Sequence, residues 1–281
     1  MRVDVHGVRL EVQVSGSGAD VLLVHGYPDT HACWRYQVAA LNAAGYRTIA
    51  PDLRGFGASD KPSGTGEYEL SRHAADLLGV LDHMGVERVH LVGHDWGSVL
   101  VQLVAATAPH RVASVTCMSV GRPGSAMAAG LEQWQKSWYM LLFQFEGVAE
   151  RWLAQDDFRH ARQLLAGHPD REEVIERLRD PEELSSTLAI YRTGARPEQL
   201  TAPQAADGPS LPSPVMGIWS SGDPFLTEHS MTALGRHVNG QWRYERLEGP
   251  GHWMQLEAPD RVNELLLDFL AGAGGPSAPA R

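Results

Sequence analysis

An aspartate stands at the centre of Gly93-His94-Asp95-Trp96-Gly97, directly after the apolar run Val89-His90-Leu91-Val92. A strand followed by glycine, an exposed side chain two residues on and a second glycine two further has the layout of a nucleophile elbow, a sharp turn that opens a helix. Glycines are needed there because the turn strains the backbone and the helix packs close behind it. The central residue sets the chemistry. A serine attacks carbonyl groups. A carboxylate attacking a carbonyl gives a mixed anhydride and gains little. A carboxylate that displaces a leaving group from a saturated carbon gives an ordinary ester. The elbow therefore points to a compound with an electrophilic sp3 carbon, such as an epoxide or an alkyl halide. The plain alternative for Asp95 is a helix N-cap.

Four features fall in order around the elbow. His25-Gly26-Tyr27-Pro28 follows the buried run Val21-Leu22-Leu23-Val24. In this geometry that loop supplies one backbone N–H of an oxyanion hole and the residue after the nucleophile supplies the other, which makes Tyr27 and Trp96 the expected donors. They matter when the ester is hydrolysed, because the attacked carbonyl of Asp95 becomes an oxyanion. Gly251-His252-Trp253 follows Trp242–Leu247 near the C-terminus. Hydrolysis needs water deprotonated near neutral pH, which suits an imidazole. The chain has 13 histidines, so position after a strand, and not residue type, singles out His252. Ser221-Gly222-Asp223-Pro224 follows the strand Val215–Trp219. A histidine that becomes imidazolium needs a carboxylate partner, and Asp223 stands in the order nucleophile, acid, histidine. Finally, Tyr139 and Tyr191 lie in a stretch without strand runs. An opening epoxide develops alkoxide character, and a phenol with a pKa of about 10 can donate to it while remaining protonated at neutral pH. As isolated residues these tyrosines read equally well as packing side chains.

The elements that must hold these residues alternate. Val3–Val5 and Val8–Val14 read as strands joined at His6-Gly7, and Ser15-Gly16-Ser17-Gly18 as a turn. A helix from Cys33 to Ala44 ends at Gly45. Tyr46–Ala50 is a strand, and the loop Pro51-Asp52-Leu53-Arg54-Gly55-Phe56-Gly57 follows. Leu70–Met84 is helical by spacing, with Leu70, Ala74, Leu77, Leu78 and Leu81 on one side. Val89–Val92, the helix Trp96–Ala108 and the strand Val112–Val120 complete this half. The alternation predicts a doubly wound, mostly parallel sheet. It stops between residues 122 and 211, where helix formers, aromatics and charges replace strand runs. It resumes with Val215–Trp219, a helix near Glu228–Val238, the strand Trp242–Leu247 and a last helix near Trp253–Ala271. The expected organisation is core (1–121), helical insertion (122–211), core (212–271) and a frayed tail (272–281), with proline-rich Ala202–Pro214 as the return to the sheet.

Composition narrows the partners. Lys and Arg number 24 against 34 Asp and Glu, a formal charge of −10. No basic stripe offsets it, which argues against nucleic acid and anionic membranes. The two cysteines form no framework and fit a reducing, cytoplasmic setting. No stretch approaches the roughly 18 apolar residues of a membrane span, and Met1–His6 shows no secretory leader. No His-Glu-x-x-His or Cys/His spacing suggests a metal, so no cofactor is expected.

In combination, His25-Gly26-Tyr27-Pro28, Pro51–Asp60, Gly93-His94-Asp95-Trp96-Gly97 and Gly251-His252-Trp253 resemble the epoxide hydrolases of the α/β-hydrolase superfamily, over roughly residues 1–270. The resemblance implies an α/β-hydrolase fold of about eight strands with a helical cap after the sixth. It implies Asp95 as nucleophile, His252 as base and Asp223 as its partner. Tyr139…Phe143-Gln144…Gly147-Val148-Ala149-Glu150 is similar to the cap stretch that carries the first ring-opening tyrosine, and Tyr191-Arg192 to the second. Glu146 departs from the proline common there, which puts the local cap backbone in question. The implied substrate is a small apolar epoxide with water as co-substrate, and a homodimer is the form of association to be expected, if any. Haloalkane dehalogenases share the elbow. They need N–H donors for halide instead of an acid, which Trp96 with Trp134, Trp138 or Trp152 could supply. A catalytically silent ligand-binding relative is the remaining alternative. Arginines that would hold a carboxylate after the nucleophile are absent from Trp96-Gly97-Ser98-Val99-Leu100-Val101, and Ser98 lies one turn past the elbow, which disfavours esterase chemistry.

Overall fold

A computed structural model describes residues 1–122, 124–201 and 210–273. Eight strands form one sheet: β1 (Arg2–Val5), β2 (Val8–Gly16), β3 (Ala19–Val24), β4 (Tyr46–Pro51), β5 (Val89–His94), β6 (Val112–Met118), β7 (Val215–Ser220) and β8 (Trp242–Leu247). Their order is β1-β2-β4-β3-β5-β6-β7-β8. β1 and β2 pair antiparallel, as do β2 and β4, and every later pair is parallel. Strands β5, β6 and β7 are buried along their whole length, which is why they read as continuous apolar runs. Edge strand β8 carries Arg243, Glu245 and Arg246, charges that discourage edge-to-edge pairing.

Helices α1 (Arg35–Ala43), α2 (Leu70–His83) and α3 (Trp96–Thr107) connect the first strands. The crossovers run β3-α1-β4 in one direction and β4-α2-β5, then β5-α3-β6, in the other. Right-handed connection therefore puts α1 on one face and α2 with α3 on the opposite face. The last helix packs on α1, and α2 on α3. Between β6 and β7 come α4 (Leu131–Lys136), α5 (Trp138–Leu142), α6 (Val148–Leu164), α7 (Arg171–Leu178), α8 (Pro181–Gly194) and α9 (Pro197–Thr201). Then follow α10 (His229–Leu234), α11 (Met254–Glu257) and α12 (Pro259–Gly272).

Several boundaries differ from the sequence reading, each for a local reason. The single last helix is two, because Ala258 is non-helical and Pro259, which lacks an N–H, opens a new one. The helix expected over Glu228–Val238 is α10 followed by a 3-10 turn, and Val238 turns extended to pair with Leu211. β6 stops at Met118 because Ser119 takes a positive φ of 64°. Ser15 and Gly16 belong to β2 and pair with Thr48 and Arg47, so the turn is shorter than expected. On α2, Leu70 and Leu78 are only half-buried, while His73 and Asp76 face inward. Asp76 holds the buried Arg54 guanidinium in a bidentate pair at 2.6 and 2.7 Å. The loop Pro51–Gly57 is thus organised by an internal ion pair. Most of the expected return at Ala202–Pro214 and of the expected tail lies outside the described residues.

Candidate active site

Sheet register brings the candidate residues together. Val24 pairs with Gly93, His94 with Met118, and Met118 with Ile218. The parallel strands therefore finish side by side, and the loops after β3, β5, β7 and β8 share one edge, where open α/β sheets keep their ligand sites. Asp95 sits on the elbow with φ 54° and ψ −121°, a conformation that L-residues rarely adopt. Both glycines are sterically required. A Cβ on Gly93 would collide with the Gly97 backbone, and one on Gly97 with the Val24 carbonyl. Gly26 is equally constrained: a Cβ there would strike the Asp95 carboxylate and lie 2.7 Å from the Trp96 nitrogen.

The Tyr27 amide donates to Asp95 Oδ1 at 2.9 Å. Of the two expected oxyanion donors it is the one in hydrogen-bond geometry with the carboxylate; the Trp96 amide is close by but makes no such bond. The Tyr27 loop is fixed from below by His25. Its Nε2 accepts from the Leu53 amide at 3.0 Å, which leaves Nδ1–H to donate to Gly26 O at 2.9 Å.

His252 lies between two carboxylates. Nδ1–H donates to Asp223 Oδ2 at 2.9 Å, and Nε2 is 3.6 Å from Asp95 Oδ2. Burial pulls the imidazole down, but the charges and hydrogen bonds of Asp223 and Asp95 outweigh it and raise its pKa to about 10. Asp223 Oδ1 accepts from the Phe225 and Leu226 amides at 2.8 and 3.0 Å. Burial opposes its ionisation, yet His252 and these amides hold it below the usual carboxylate range. The His252 carbonyl is held by His94 Nε2–H at 2.8 Å and by the Ser119 hydroxyl at 3.1 Å. Gln255 donates to His94 Nδ1 at 3.2 Å, which fixes the His94 tautomer. Burial lowers the His94 pKa to about 4, so it stays neutral and buttresses the backbone of the second histidine.

The two phenols come from α5 and α8. Their rings meet edge to face at 6.0 Å, and Tyr191 also meets Trp96 at 5.1 Å and Tyr27 at 5.3 Å. Burial first, and then the Asp95 charge among other neighbours, pushes both phenols well above their usual pKa. The motif residues around them are the fastening. Gln144 donates to the carbonyls of Tyr191 and Ala195, both at 3.1 Å. Arg192 donates to Phe143 O at 3.0 Å and pairs with Glu150 at 2.7 Å, while Glu150 also accepts from the Gly147 amide at 2.7 Å. The turn across Glu146 is closed by the Val148 and Ala149 amides on Phe145 O, so the missing proline leaves the cap backbone intact.

A cavity of about 370 Å³ opens onto Asp95, Trp96, Tyr139 and Tyr191 and is otherwise mainly apolar, with Leu70, Val99, Val120, Met127, Met140 and Leu226 on its wall. A much smaller chamber of about 10 Å³ lies against Asp95, His252, Tyr27, Leu165 and Trp253. None of Trp134, Trp138 and Trp152 reaches either space. Among the described residues no group of three or more His, Cys, Asp or Glu side chains could hold a metal ion, and no helix is long and apolar enough to cross a membrane.

Sequence reasoning missed the buried pair Asp29–His168. His168 Nε2–H donates to Asp29 Oδ1 at 3.0 Å, and its Nδ1 accepts from the Asp170 amide at 2.9 Å. Asp170 pairs with Arg35 through two bonds of 2.6 and 3.0 Å. This ties the segment after α6 to the loop that carries Tyr27, and the His168 ring rests 4.5 Å from that of Trp253. Asp29 directly follows His25-Gly26-Tyr27-Pro28, but nothing in the sequence marks its partner.

Comparison with known proteins bears on the fold and the family. The family profile described as the alpha/beta hydrolase fold matches residues 21–259. Epoxide hydrolase A of Mycobacterium tuberculosis is 34% identical over 96% of both chains. The crystal structure of epoxide hydrolase A from Mycobacterium thermoresistibile superposes with a TM-score of 0.82 at 31% identity, covering 97% of this chain and 98% of that one. Bacillus megaterium epoxide hydrolase, solved with an inhibitor, gives 0.86 at 26% identity over 96% and 100%. The chain belongs to the α/β-hydrolase superfamily and, within it, to the epoxide hydrolase family.

Proposed function

We propose that this protein converts an apolar epoxide to a vicinal diol through an ester on Asp95. The observation that carries the reading is the pair of protonated phenols, Tyr139 and Tyr191, facing a carboxylate across one apolar cavity. A carboxylate nucleophile alone fits a halide leaving group equally well. Two acids positioned against it fit an oxygen that must be protonated as it leaves.

The epoxide oxygen takes hydrogen bonds from Tyr139 and Tyr191. Asp95 Oδ2 attacks a ring carbon, while Oδ1 stays on the Tyr27 amide. The ring opens to a hydroxyalkyl ester, and the alkoxide takes a proton from a phenol, which regains it from solvent. Esterification removes the negative charge of Asp95, and with it the two contributions from that carboxylate that raise the His252 pKa. His252 thus releases its Nε2 proton to solvent and becomes a usable base at the step that needs one. With its Nδ1–H held by Asp223, Nε2 takes a proton from water. The chamber of about 10 Å³ beside His252 and Asp95 is close to the space that one water molecule needs. Hydroxide adds to the Asp95 carbonyl carbon, and the oxyanion on Oδ1 is met by the Tyr27 amide with Trp96 as the second donor. The adduct then collapses by breaking the bond from the carbonyl carbon to the ester oxygen. The leaving alkoxide takes the proton held by His252, the diol departs, and Asp95 returns to a carboxylate by losing its proton to solvent. No cofactor is required. The two buried, unpaired cysteines fit action in a reducing cytoplasm.

The test is a panel of aryl epoxides, aliphatic epoxides and haloalkanes scored for diol and halide release, with wild type and Tyr139→Phe/Tyr191→Phe. Removing the acids should slow epoxide opening by about 100- to 10,000-fold. Halide release that equals or exceeds diol formation, unaffected by the double substitution, would establish the dehalogenase reading.

A further inference from the structure

We propose that Gln133 and Lys136 of α4 are positioning residues through which the cap holds Asp223 in place for ester hydrolysis, a role that rests on the reading of Asp223 as the partner of His252. α4 turns Gln133 inward, where it is fully buried and where a helix ordinarily sets an apolar side chain. A buried amide costs free energy unless its hydrogen-bonding capacity is filled. A glutamine has two N–H donors and room for two bonds on its oxygen, and here all four are used. Oε1 accepts from the Thr227 amide and from the Thr227 hydroxyl, both at 2.8 Å. Nε2 donates to Phe225 O at 2.8 Å and to the Ser137 hydroxyl at 2.7 Å. The backbone partners fix which end of the side chain is which, because an amide N–H must donate and a carbonyl must accept. Gln133 lines neither the large cavity nor the small chamber, so it acts through other residues and not on the substrate.

What singles out these bonds is where they land. The Phe225 carbonyl and the Leu226 amide are the two ends of one planar peptide group. Gln133 holds the carbonyl end, and the N–H end donates to Asp223 Oδ1 at 3.0 Å. Asp223 Oδ2 in turn accepts from His252 Nδ1–H at 2.9 Å. One hydrogen-bonded line therefore runs from the cap, through a backbone peptide and the acid, to the base. In such a chain each bond polarises the next. Thr227 is the other backbone partner of Gln133, so Leu226 is pinned on both sides. Three residues after Gln133, the Lys136 ammonium donates to the backbone carbonyl of Asp223 itself at 2.7 Å. The same loop carries the Phe225 ring, which meets His252 at 5.0 Å and Tyr139 at 5.5 Å.

Single-turnover rapid-quench kinetics, with enzyme in excess over an aryl epoxide, separates formation of the Asp95 ester from its decay. Gln133→Met keeps the length of the side chain and removes its four bonds. Ester decay should slow by about 10- to 100-fold, up to the cost of a misplacement of about 1 Å, while ester formation stays within about threefold of wild type. The downfield proton resonance of His252 Nδ1–H should move upfield as its bond to Asp223 loosens, a change that a purely structural cap contact does not produce. Lys136→Met, at a half-buried position, is the milder change and should slow the same step about threefold or more; it carries the test should Gln133→Met fail to fold. Two steps that slow together, as a loosened cap would make them, overturn the proposal. So does ester decay at the wild-type rate, or slowed decay with the His252 resonance unmoved. A wild type that makes diol without any ester overturns the Asp95 reading and this proposal with it, whereas normal ester decay in the variants overturns this proposal alone.

Discussion

Asp223→Asn should halt turnover at the ester. Asp223 Oδ1 accepts two amide bonds, from Phe225 and Leu226, at 2.8 and 3.0 Å. In the variant the amide oxygen must keep that place, because the opposite orientation would set an NH2 group against two buried N–H donors at about 1–3 kcal/mol each. The new NH2 therefore takes the position of Oδ2, 2.9 Å from His252 Nδ1. An NH2 group donates, so Nδ1 must accept, and the ring proton moves to Nε2, which faces Asp95. Nε2 can then no longer take a proton from water. The same tautomer error in a Ser-His-Asp triad costs about 10⁴ in rate, equivalent to about 5.4 kcal/mol of barrier. Ring opening uses Asp95 and the phenols, so it should stay within roughly tenfold of wild type, below about 1.4 kcal/mol. Rapid-quench mass spectrometry should find one substrate mass per chain on the Asp95 peptide within the burst, then a near plateau in diol. Nitrogen chemical shifts of His252 should report an unprotonated Nδ1 in the variant where the wild type holds Nδ1–H. Diol formation within tenfold of wild type, or loss of activity with no burst of ester, would refute this reasoning.

Three further outcomes follow from the same geometry. Gly26→Ala drives a methyl group onto the Asp95 carboxylate and should displace the Tyr27 amide, lowering kcat by about 100- to 1,000-fold with the fold intact by circular dichroism; near-normal kcat would mean the amide is not used. His252 titrates at about 10 in the folded chain against about 6.5 when unfolded. A raised pKa gives stability that is complete below the unfolded value and is lost as pH climbs through the folded one. Wild type should thus lose more thermal stability than His252→Gln between about pH 6.5 and 10, and parallel profiles would contradict the ion-pair assignment. His168→Ala leaves Asp29 buried with neither oxygen bonded, since Oδ2 already has no partner; chemical denaturation should show a loss of about 3 kcal/mol or more, and a change below about 0.5 kcal/mol, typical of neutral surface substitutions, would deny it a role as a latch.

Much of the site was readable because its signals are local. A glycine on each side of Asp95, an apolar run before it and a helix-forming run after it lie within a few residues, and each records a steric demand of the same turn. His252 and Asp223 were readable for a similar reason, as residues just past buried strands. The mostly parallel character of the sheet was foreseeable, since fully buried parallel strands leave unbroken apolar runs. What escaped depends on contacts between distant segments. Asp29 and His168 are 139 positions apart. The fastening of α5 to α8 by Gln144, Glu150 and Arg192 is invisible to periodicity, so Tyr139 and Tyr191 could be paired only through resemblance. The split at Pro259 was legible, because a proline cannot continue a helix without loss, and apolar spacing across it masked the break.

The central claim is that Asp95 bonds covalently to a tetrahedral carbon of the substrate and is then hydrolysed at its own carbonyl. One turnover in ¹⁸O-water, with enzyme in excess over epoxide, tests it most directly. Peptide mass spectrometry should find the heavy oxygen in the Asp95 side chain, and the first diol should carry the oxygen that Asp95 lost. Labelled diol with an unlabelled Asp95 would mean that water attacks the epoxide itself, and the ester pathway would be wrong.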